Sequence, residues 1–331
     1  MLPKHAMYLL QVLFFLLYSS IVCSTLVVVR QDDTRRGYVE GLSDISGDLF
    51  IEPSVDFLFS WPYVQMSMDK PSQQTYLSAF PDGNSYPVLS IFNSDLSLSY
   101  QFNNNTFTFW DMQYCSSQET IYGILVTEDF NGGMSGRTLS NYTADQQTGI
   151  ITATELYTLP YMWYVNASSI DGLLSSTYYA LVNNFPGYEN STQEQKLAIG
   201  DFSVEDKAAV TMLDISEENV MMQFIAYSHQ QGLLYFAGPS KQSGTTEVTV
   251  GILCQVHGTI HAVLYAADDA ISVGPIVADD VNNQVLFFVK TSTFPNSWTL
   301  MSVGYAEGSA AQEVHRYEGD QFASFGAAAL M

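Results

Sequence analysis

Residues 271–317 read ISVGPIVADDVNNQVLFFVKTSTFPNSWTLMSVGYAEGSAAQEVHRY. The stretch contains four short runs rich in β-branched and aromatic residues, at 271–279, 283–289, 299–305 and 312–317. Asp-Asp and Asn-Asn follow the first run, and these residue types favour a tight turn. Helical periodicity is absent from the stretch. It therefore predicts four successive strands, with a turn between the first two.

Similar apolar runs recur along the chain. Their anchors are Phe57, Phe107, Ile150, Leu233 and Val285. The intervals between anchors are 50, 43, 83 and 52 residues, and 83 is close to two units. A second series of apolar runs ends on glycine, at Gly123, Gly200, Gly251 and Gly304. The chain therefore contains a repeat of roughly 42 to 52 residues, the length of a four-stranded propeller blade.

The strand order in 271–317 resembles one blade of the β-propeller repeats of the YWTD, NHL and YVTN families. Asp279 ends the first strand, Phe287 and Phe288 form an aromatic pair in the second, and the third ends near Gly304. The resemblance implies an all-β fold, a single β-propeller with four-stranded antiparallel blades. The alternative is an irregular pair of β-sandwich domains.

The blade number follows from the chain length and the period. The 307 residues after residue 24 give six blades for a period near 50 residues and seven for one near 44. We expect six. Full closure hides sheet edges, and either the residues after Glu318 or those around 26–29 would complete a blade shared by both ends of the chain.

Residues 1–24 are predicted to be a cleaved signal peptide. Lys4 and His5 precede an apolar run from Met7 to Val29, and Ser24 is a small residue at the expected cleavage point. The alternative is an uncleaved anchor, because an apolar helix of this length could cross a bilayer. With cleavage, residues 25–331 form one exported propeller domain that is secreted and extracellular.

The charge of the chain excludes several classes of partner. The sequence has 34 acidic and 11 basic residues, a net charge of -23. Such a chain repels nucleic acid and anionic membranes. Because 47% of its residues are hydrophobic and only 14% charged, it is a folded globule rather than an acidic tail. We expect a monomer whose partner is an extracellular protein or glycan.

In an exported protein, asparagines can be glycosylated and cysteines can form disulfides. Asn-x-Ser/Thr glycosylation sites stand at Asn104, Asn141, Asn166 and Asn190, beside turn-like residues. Cys115 and Cys254 remain after cleavage, and they form either one long-range disulfide or two separate thiols.

The sequence contains two weak candidates for a metal site. Asp279, Asp280 and Asn282 offer hard oxygen ligands for calcium, the one cofactor that the sequence suggests, although an Asp and Asn turn needs no ion. His257 and His261 would lie about 13 Å apart in a strand, too far for one metal ion.

No catalytic motif stands in the sequence, so the chain is more readily a binder than an enzyme. Trp163 and Trp298 are candidates for a binding face, since both lie near Pro or Asn residues; the alternative is core filling. The leading hypothesis is a secreted binding module for protein or glycan. The alternatives are a structural component of an extracellular coat or wall, and a secreted hydrolase with carboxylates in the propeller channel.

Overall fold

The structure is a computed structural model, and it describes residues between 25 and 330. The described ranges are 25–33, 36–43, 49–51, 56–58, 65–79, 88–102, 108–126, 138–160, 163–184, 194–202, 209–215, 219–240, 247–294, 297–306, 308–319 and 324–330. In these ranges every regular element is a β-strand, and none contains a helix able to cross a membrane. The expected leader, residues 1–24, lies outside them.

The strands form six antiparallel sheets, numbered here as blades 1 to 6 in chain order. Blade 1 contains β1 (Thr25–Gln31), β2 (Arg36–Ser43), β3 (Leu49–Ile51) and β4 (Asp56–Leu58). Blade 2 contains β5 (Gln65–Asp69), β6 (Gln74–Ala79), β7 (Val88–Phe92) and β8 (Leu98–Phe102). Blade 3 contains β9 (Thr108–Cys115), β10 (Thr120–Val126), β11 (Thr138–Asp145) and β12 (Ile150–Thr158). Blade 4 contains β13 (Trp163–Asp171), β14 (Thr177–Asn184), β15 (Gln195–Asp201) and β16 (Ala209–Asp214). Blade 5 contains β17 (Phe224–Ser228), β18 (Leu233–Pro239), β19 (Val248–Leu253) and β20 (Ile260–Ala267). Blade 6 contains β21 (Ala270–Asp279), β22 (Gln284–Thr291), β23 (Ser297–Gly304) and β24 (Gln312–Glu318).

The last strand closes the ring. β25 (Ser324–Leu330) pairs antiparallel with β1, with Leu26 opposite Leu330 and Gln31 opposite Ser324. Both ends of the described chain therefore share blade 1, which confirms the predicted closure. The architecture is a six-bladed β-propeller, and closure removes the open sheet edges that a long all-β chain would expose.

Six inner strands surround a central channel. They are β25, β5, β9, β13, β17 and β21, and each contacts the next around the ring. In blades 2 to 6 the inner strand leads through a turn into the second strand, and these turns all lie on one face, which we call the hairpin face. The turns are residues 70–73, 116–119, 172–176, 229–232 and 280–283.

The core lies between the blades, and the second strands show why. In β22, Phe287 packs in the cluster shared with blade 5, while its neighbour Phe288 packs against blade 1. In β18, Tyr235 faces blade 6 and Phe236 faces blade 4. Successive side chains of a strand point to opposite faces, and both faces are buried here. A continuous apolar run such as 285–289 is therefore required, rather than an alternating one.

The repeat count is correct, but the alignment of the anchors is wrong in the first half of the chain. Leu233 begins the second strand of blade 5, and Val285 lies in the second strand of blade 6. Phe57 and Ile150, in contrast, lie in fourth strands. Phe107 lies outside the described residues. Inner strands begin 43 residues apart in blades 2 and 3, and 61 apart in blades 4 and 5, because the connecting loops differ in length.

Candidate functional site

The central channel contains a cavity of about 140 Å³ near the hairpin face. All six inner strands contribute to its wall. The lining residues are Met66, Ser67, Met68, Lys70, Gln113, Tyr114, Ser116, Ser168, Ser169, Ile170, Gly172, Leu173, Ile225, Ala226, Tyr227, His229, Ile276, Val277, Ala278, Ala328, Ala329 and Leu330. The cavity is thus walled mainly by small and aliphatic side chains, with hydroxyl and amide groups among them.

The cavity lining contains basic side chains but no acidic ones among the described residues. Lys70 and His229 are its basic residues, and no Asp or Glu is among the described lining residues. This is unusual for a chain with three times as many acidic as basic residues. Lys70 and His229 therefore supply the basic groups of the cavity wall, and the carboxylates of Asp171 and Asp280 lie beside them.

Lys70 lies at the start of the turn after β5, and its side chain is exposed at the channel mouth. Removal from bulk water lowers the pKa of its ammonium group, and the carboxylates of Asp280 and Asp279 act in the opposite direction. No carboxylate among the described residues makes an ion pair with Lys70 within 4 Å. Its positive charge is therefore only partly compensated by the protein.

His229 is held at the mouth by the two neighbouring blades. Its Nδ1 lies 2.7 Å from Oδ1 of Asp171 in the turn of blade 4, and its backbone N–H donates to Oδ2 of Asp280 in blade 6 at 3.0 Å. Its ring packs edge-on against Tyr227. Burial and the charge of Lys70 lower the pKa of His229, and the hydrogen bond with Asp171 opposes this. The imidazole is therefore fixed in orientation and favours its neutral form.

Asp171 is the buried partner of His229. Burial alone would raise the pKa of its carboxyl, but hydrogen bonds from Ser175 and His229 hold the pKa below its ordinary value. The hydroxyl of Ser175 donates to Oδ2 at 2.7 Å, and the backbone N–H of Leu174 donates to Oδ1 at 3.3 Å. Asp171 therefore shapes its own turn and fixes the histidine of the next blade.

Asp279 and Asp280, the predicted calcium ligands, use their carboxylates in hydrogen bonds within the fold. Asp279 is fully buried, and it accepts from the side-chain amides of Asn282 at 2.7 Å and Gln284 at 2.9 Å. Asp280 accepts from the Ser228 hydroxyl and from the Tyr305 hydroxyl at 3.0 Å. Asn282 presents an amide nitrogen, not an oxygen, to Asp279. No group of three or more His, Cys, Asp or Glu side chains suited to a metal occurs among the described residues. These contacts form an Asp and Asn turn after β21, and the calcium site stays a prediction.

Asp111 is another carboxylate between blades, outside the lining. Its side chain is buried and accepts hydrogen bonds from the hydroxyls of Ser168 and Tyr178 in blade 4. Burial raises the pKa of Asp111 to about 6, although these hydrogen bonds oppose the shift. Asp111, Asp171 and Asp280 thus link adjacent blades, and none of them lines the cavity.

The two predicted binding-face tryptophans do not lie together. Trp298 is 5% exposed and packs edge-on against Phe325 of β25, so its assignment to a binding face is wrong and it fills the core between blades 6 and 1. It lies in β23, which begins at Ser297, and Phe288 and Tyr317 pack in the same cluster. Trp163 is partly buried at the start of β13, with the Lys196 ammonium 5.2 Å from its ring centroid. That end of β13 is opposite the hairpin face.

Two of the four asparagines predicted to carry glycans lie within the described residues. Asn141 lies within β11 and is half-buried, and Asn166 is exposed at an irregularity of β13. Both therefore lie in strands rather than in turns. Asn104 and Asn190 lie outside the described residues.

The two cysteines are separate thiols, so the disulfide alternative is not formed. Cys115 is buried at the end of β9, with Sγ 3.4 Å from the Ser176 hydroxyl. Cys254 follows β19 in another blade, with Sγ 3.5 Å from Nδ1 of His257. The two positions are separated because strands of different blades carry them.

The comparisons with known proteins concern the fold. No protein-family model matches the chain, and no curated protein matches its sequence. The structure is similar to the periplasmic gluconolactonase PpgL of Pseudomonas aeruginosa, with a TM-score of 0.54 and 7% identity over 91% of this chain and 98% of that one. It is also similar to TolB of Acinetobacter baumannii, with a TM-score of 0.56 and 10% identity over 92% of this chain and 66% of that one. Likeness at these identities supports the propeller fold and no activity.

Proposed function

We propose that this chain is a secreted, acidic, monomeric glycoprotein that binds an extracellular protein or glycan at the mouth of its central channel. The observation that carries the proposal is the cavity of about 140 Å³ on the hairpin face, to which all six inner strands contribute. A concave, mostly apolar site with a few convergent polar groups is the usual form of a ligand site. Lys70 and His229 are the groups that would select its ligand.

The carboxylate hydrolase is less well supported. Glycoside hydrolysis of that kind needs two carboxyl groups facing the substrate. The described lining contains none, and Asp111, Asp171 and Asp280 are each occupied by donors from a neighbouring blade. The other alternative, a structural coat component, does not require a cavity lined by Lys70 and His229.

Export and glycosylation are compatible with this site. The apolar leader supports export, and Asn166 is an exposed candidate for a glycan. Its side-chain amide donates to the backbone carbonyl of Gln223 at 3.3 Å, just before the start of β17. That is the end of the inner strand away from the hairpin face. A glycan at Asn166 would therefore leave the channel mouth open.

The test begins with expression of the full chain in a eukaryotic secretory host. We expect the protein in the medium, with an N-terminus at residue 25 and a mass that falls on treatment with an N-glycosidase. Retention in the membrane fraction would contradict export.

Purified protein is then applied to glycan and protein arrays, with and without calcium. We expect selective binding that does not need calcium, because Asp279 and Asp280 are engaged within the fold. Binding should weaken in Lys70→Ala and persist in Lys290→Ala, a matched loss of charge near the end of β22 on the opposite face. Absence of selective binding on both arrays would refute the proposal and leave the coat component.

A further inference from the structure

We propose that the channel mouth binds a protein segment in which an Asp or Glu side chain is flanked by aliphatic residues. The inference rests on the proposed function, because it names the ligand class of the same site. It is carried by the charge of the lining, by exposed aliphatic residues in turns of the hairpin face, which we call the aliphatic rim, and by the positions of the aromatic rings.

The lining favours a carboxylate. Lys70 has no carboxylate within 4 Å among the described residues, and the cavity wall has no Asp or Glu. The Lys70 side chain is exposed at the mouth, where an anionic partner can reach it. Charge-assisted hydrogen bonds to a carboxylate are roughly twice as strong as neutral ones. A water needs about 10–15 Å³ of such space, so a cavity of about 140 Å³ accommodates the few heavy atoms of one Asp or Glu side chain.

The rim favours a protein. Turn tips ordinarily carry Gly, Pro, Asn, Asp or Ser. On the hairpin face, however, Leu173 and Leu174 in the turn of blade 4 are 38% and 78% exposed, and Val281 in the turn of blade 6 is 58% exposed. Val256, in the turn after β19 on the same face, is 71% exposed. Leu173 lines the cavity and Leu174 follows it in the same turn, so exposed apolar surface adjoins the mouth. Burying such surface against the aliphatic side chains of a peptide is favourable.

The aromatic rings near the mouth are not free platforms for a sugar. Tyr114 stacks on Tyr76 with ring centroids 4.4 Å apart, and Tyr227 stacks on Tyr179 at 5.1 Å. Trp163 lies at the opposite end of its strand. The aliphatic rim and the occupied rings together favour a peptide over a glycan.

The experiment uses a random dodecapeptide library displayed on phage, selected against the full glycosylated chain. We expect enriched peptides to carry Asp or Glu next to Leu, Ile, Val or Met. One such peptide is synthesised with a fluorophore, together with its Glu→Gln or Asp→Asn counterpart, and affinities are measured by anisotropy. The acidic peptide should bind at least about tenfold more tightly than the amide version.

Four variants locate the site. Lys70→Ala should abolish the preference for the acidic peptide, and Leu174→Ser should weaken binding of both peptides several-fold. Lys290→Ala removes a lysine, and Ile271→Ser removes an exposed aliphatic side chain, both at the opposite face. Both variants should bind the peptides as the unaltered chain does. Circular dichroism and thermal unfolding verify that each variant is folded.

The outcomes separate this inference from the proposed function. Equal binding of the two peptides, or a preference that survives in Lys70→Ala, would overturn the inference. Failure to enrich peptides, combined with Lys70-dependent binding of acidic glycans on the array, would overturn the inference but leave a binding site at the mouth. Failure of both arms would overturn both.

Discussion

Asp280→Ala should destabilise the propeller by removing a link between blades 5 and 6. The Asp280 carboxylate accepts hydrogen bonds from the Ser228 hydroxyl, from the Tyr305 hydroxyl at 3.0 Å and from the backbone N–H of His229 at 3.0 Å. Ser228 is fully buried and Tyr305 is 9% exposed, so water cannot readily replace the lost acceptor.

The magnitude follows from the two buried donors. A buried donor without its acceptor costs about 1–3 kcal/mol, so Asp280→Ala should lower the free energy of unfolding by about 2–6 kcal/mol. At about 2 °C per kcal/mol for a large domain, the Tm should fall by about 4–12 °C. Asp280→Asn retains one oxygen acceptor, and we expect about half of this loss.

The assay is equilibrium unfolding in guanidinium chloride, paired with thermal unfolding with and without calcium. Asp269→Ala is the matched control, because Asp269 is exposed and its carboxylate accepts a hydrogen bond from the exposed hydroxyl of Thr293 at 3.1 Å. It should change stability by less than about 0.5 kcal/mol. A loss below about 1 kcal/mol for Asp280→Ala, or calcium stabilisation that disappears in this variant, would refute the reasoning.

Three further predictions concern burial, pH and thiol reactivity. Phe287→Ala should cost about 3–5 kcal/mol in guanidinium titrations, because it leaves a cavity between blades 5 and 6; a loss below about 1 kcal/mol would contradict this packing. Burial raises the pKa of Asp111 from 3.8 to about 6, so the folded state retains a proton that the unfolded chain loses, and the free energy of unfolding should fall by about 3 kcal/mol between about pH 4 and 7. Urea titrations at fixed pH should show no such fall for Asp111→Asn, and equal slopes would refute the assignment. Cys254 should be alkylated by iodoacetamide near neutral pH, because backbone N–H groups of its turn and the His257 imidazole lower its thiol pKa; buried Cys115 should react only after unfolding, and peptide mass mapping that finds equal modification of both would contradict this.

The blade at the C-terminal end was predictable because its strands are marked locally. The runs at 271–279, 283–289, 299–305 and 312–317 agree with β21 to β24 to within two residues at each end. In the first half of the chain, apolar spacing aligns Phe57 and Ile150 with Val285, but both lie in outer strands. Strand propensity is a local property, whereas the distance of a strand from the channel depends on its pairing partners.

The candidate site was not predictable in the same way. His229 carries no motif in the sequence, and its orientation depends on Asp171, 58 residues away. In the sequence, the closely spaced pair is His257 and His261, and both of these side chains are exposed. Trp298 resembled a loop aromatic because Pro295 and Asn296 precede it, yet Phe325 of the closing strand covers it.

The sequence by itself determined the all-β class, the number of blades and the acidic charge. The class depends on residues close together in the chain, the blade number on chain length and the spacing of apolar runs, and the charge on composition. Only the tertiary structure decided that Lys70 and His229 meet at one channel mouth, that the carboxylates of Asp171 and Asp280 link blades, and that exposed aliphatic turn residues lie on the same face. Those contacts join residues more than 50 positions apart, as between Ser228 and Asp280, and they form only when the closed ring brings neighbouring turns together.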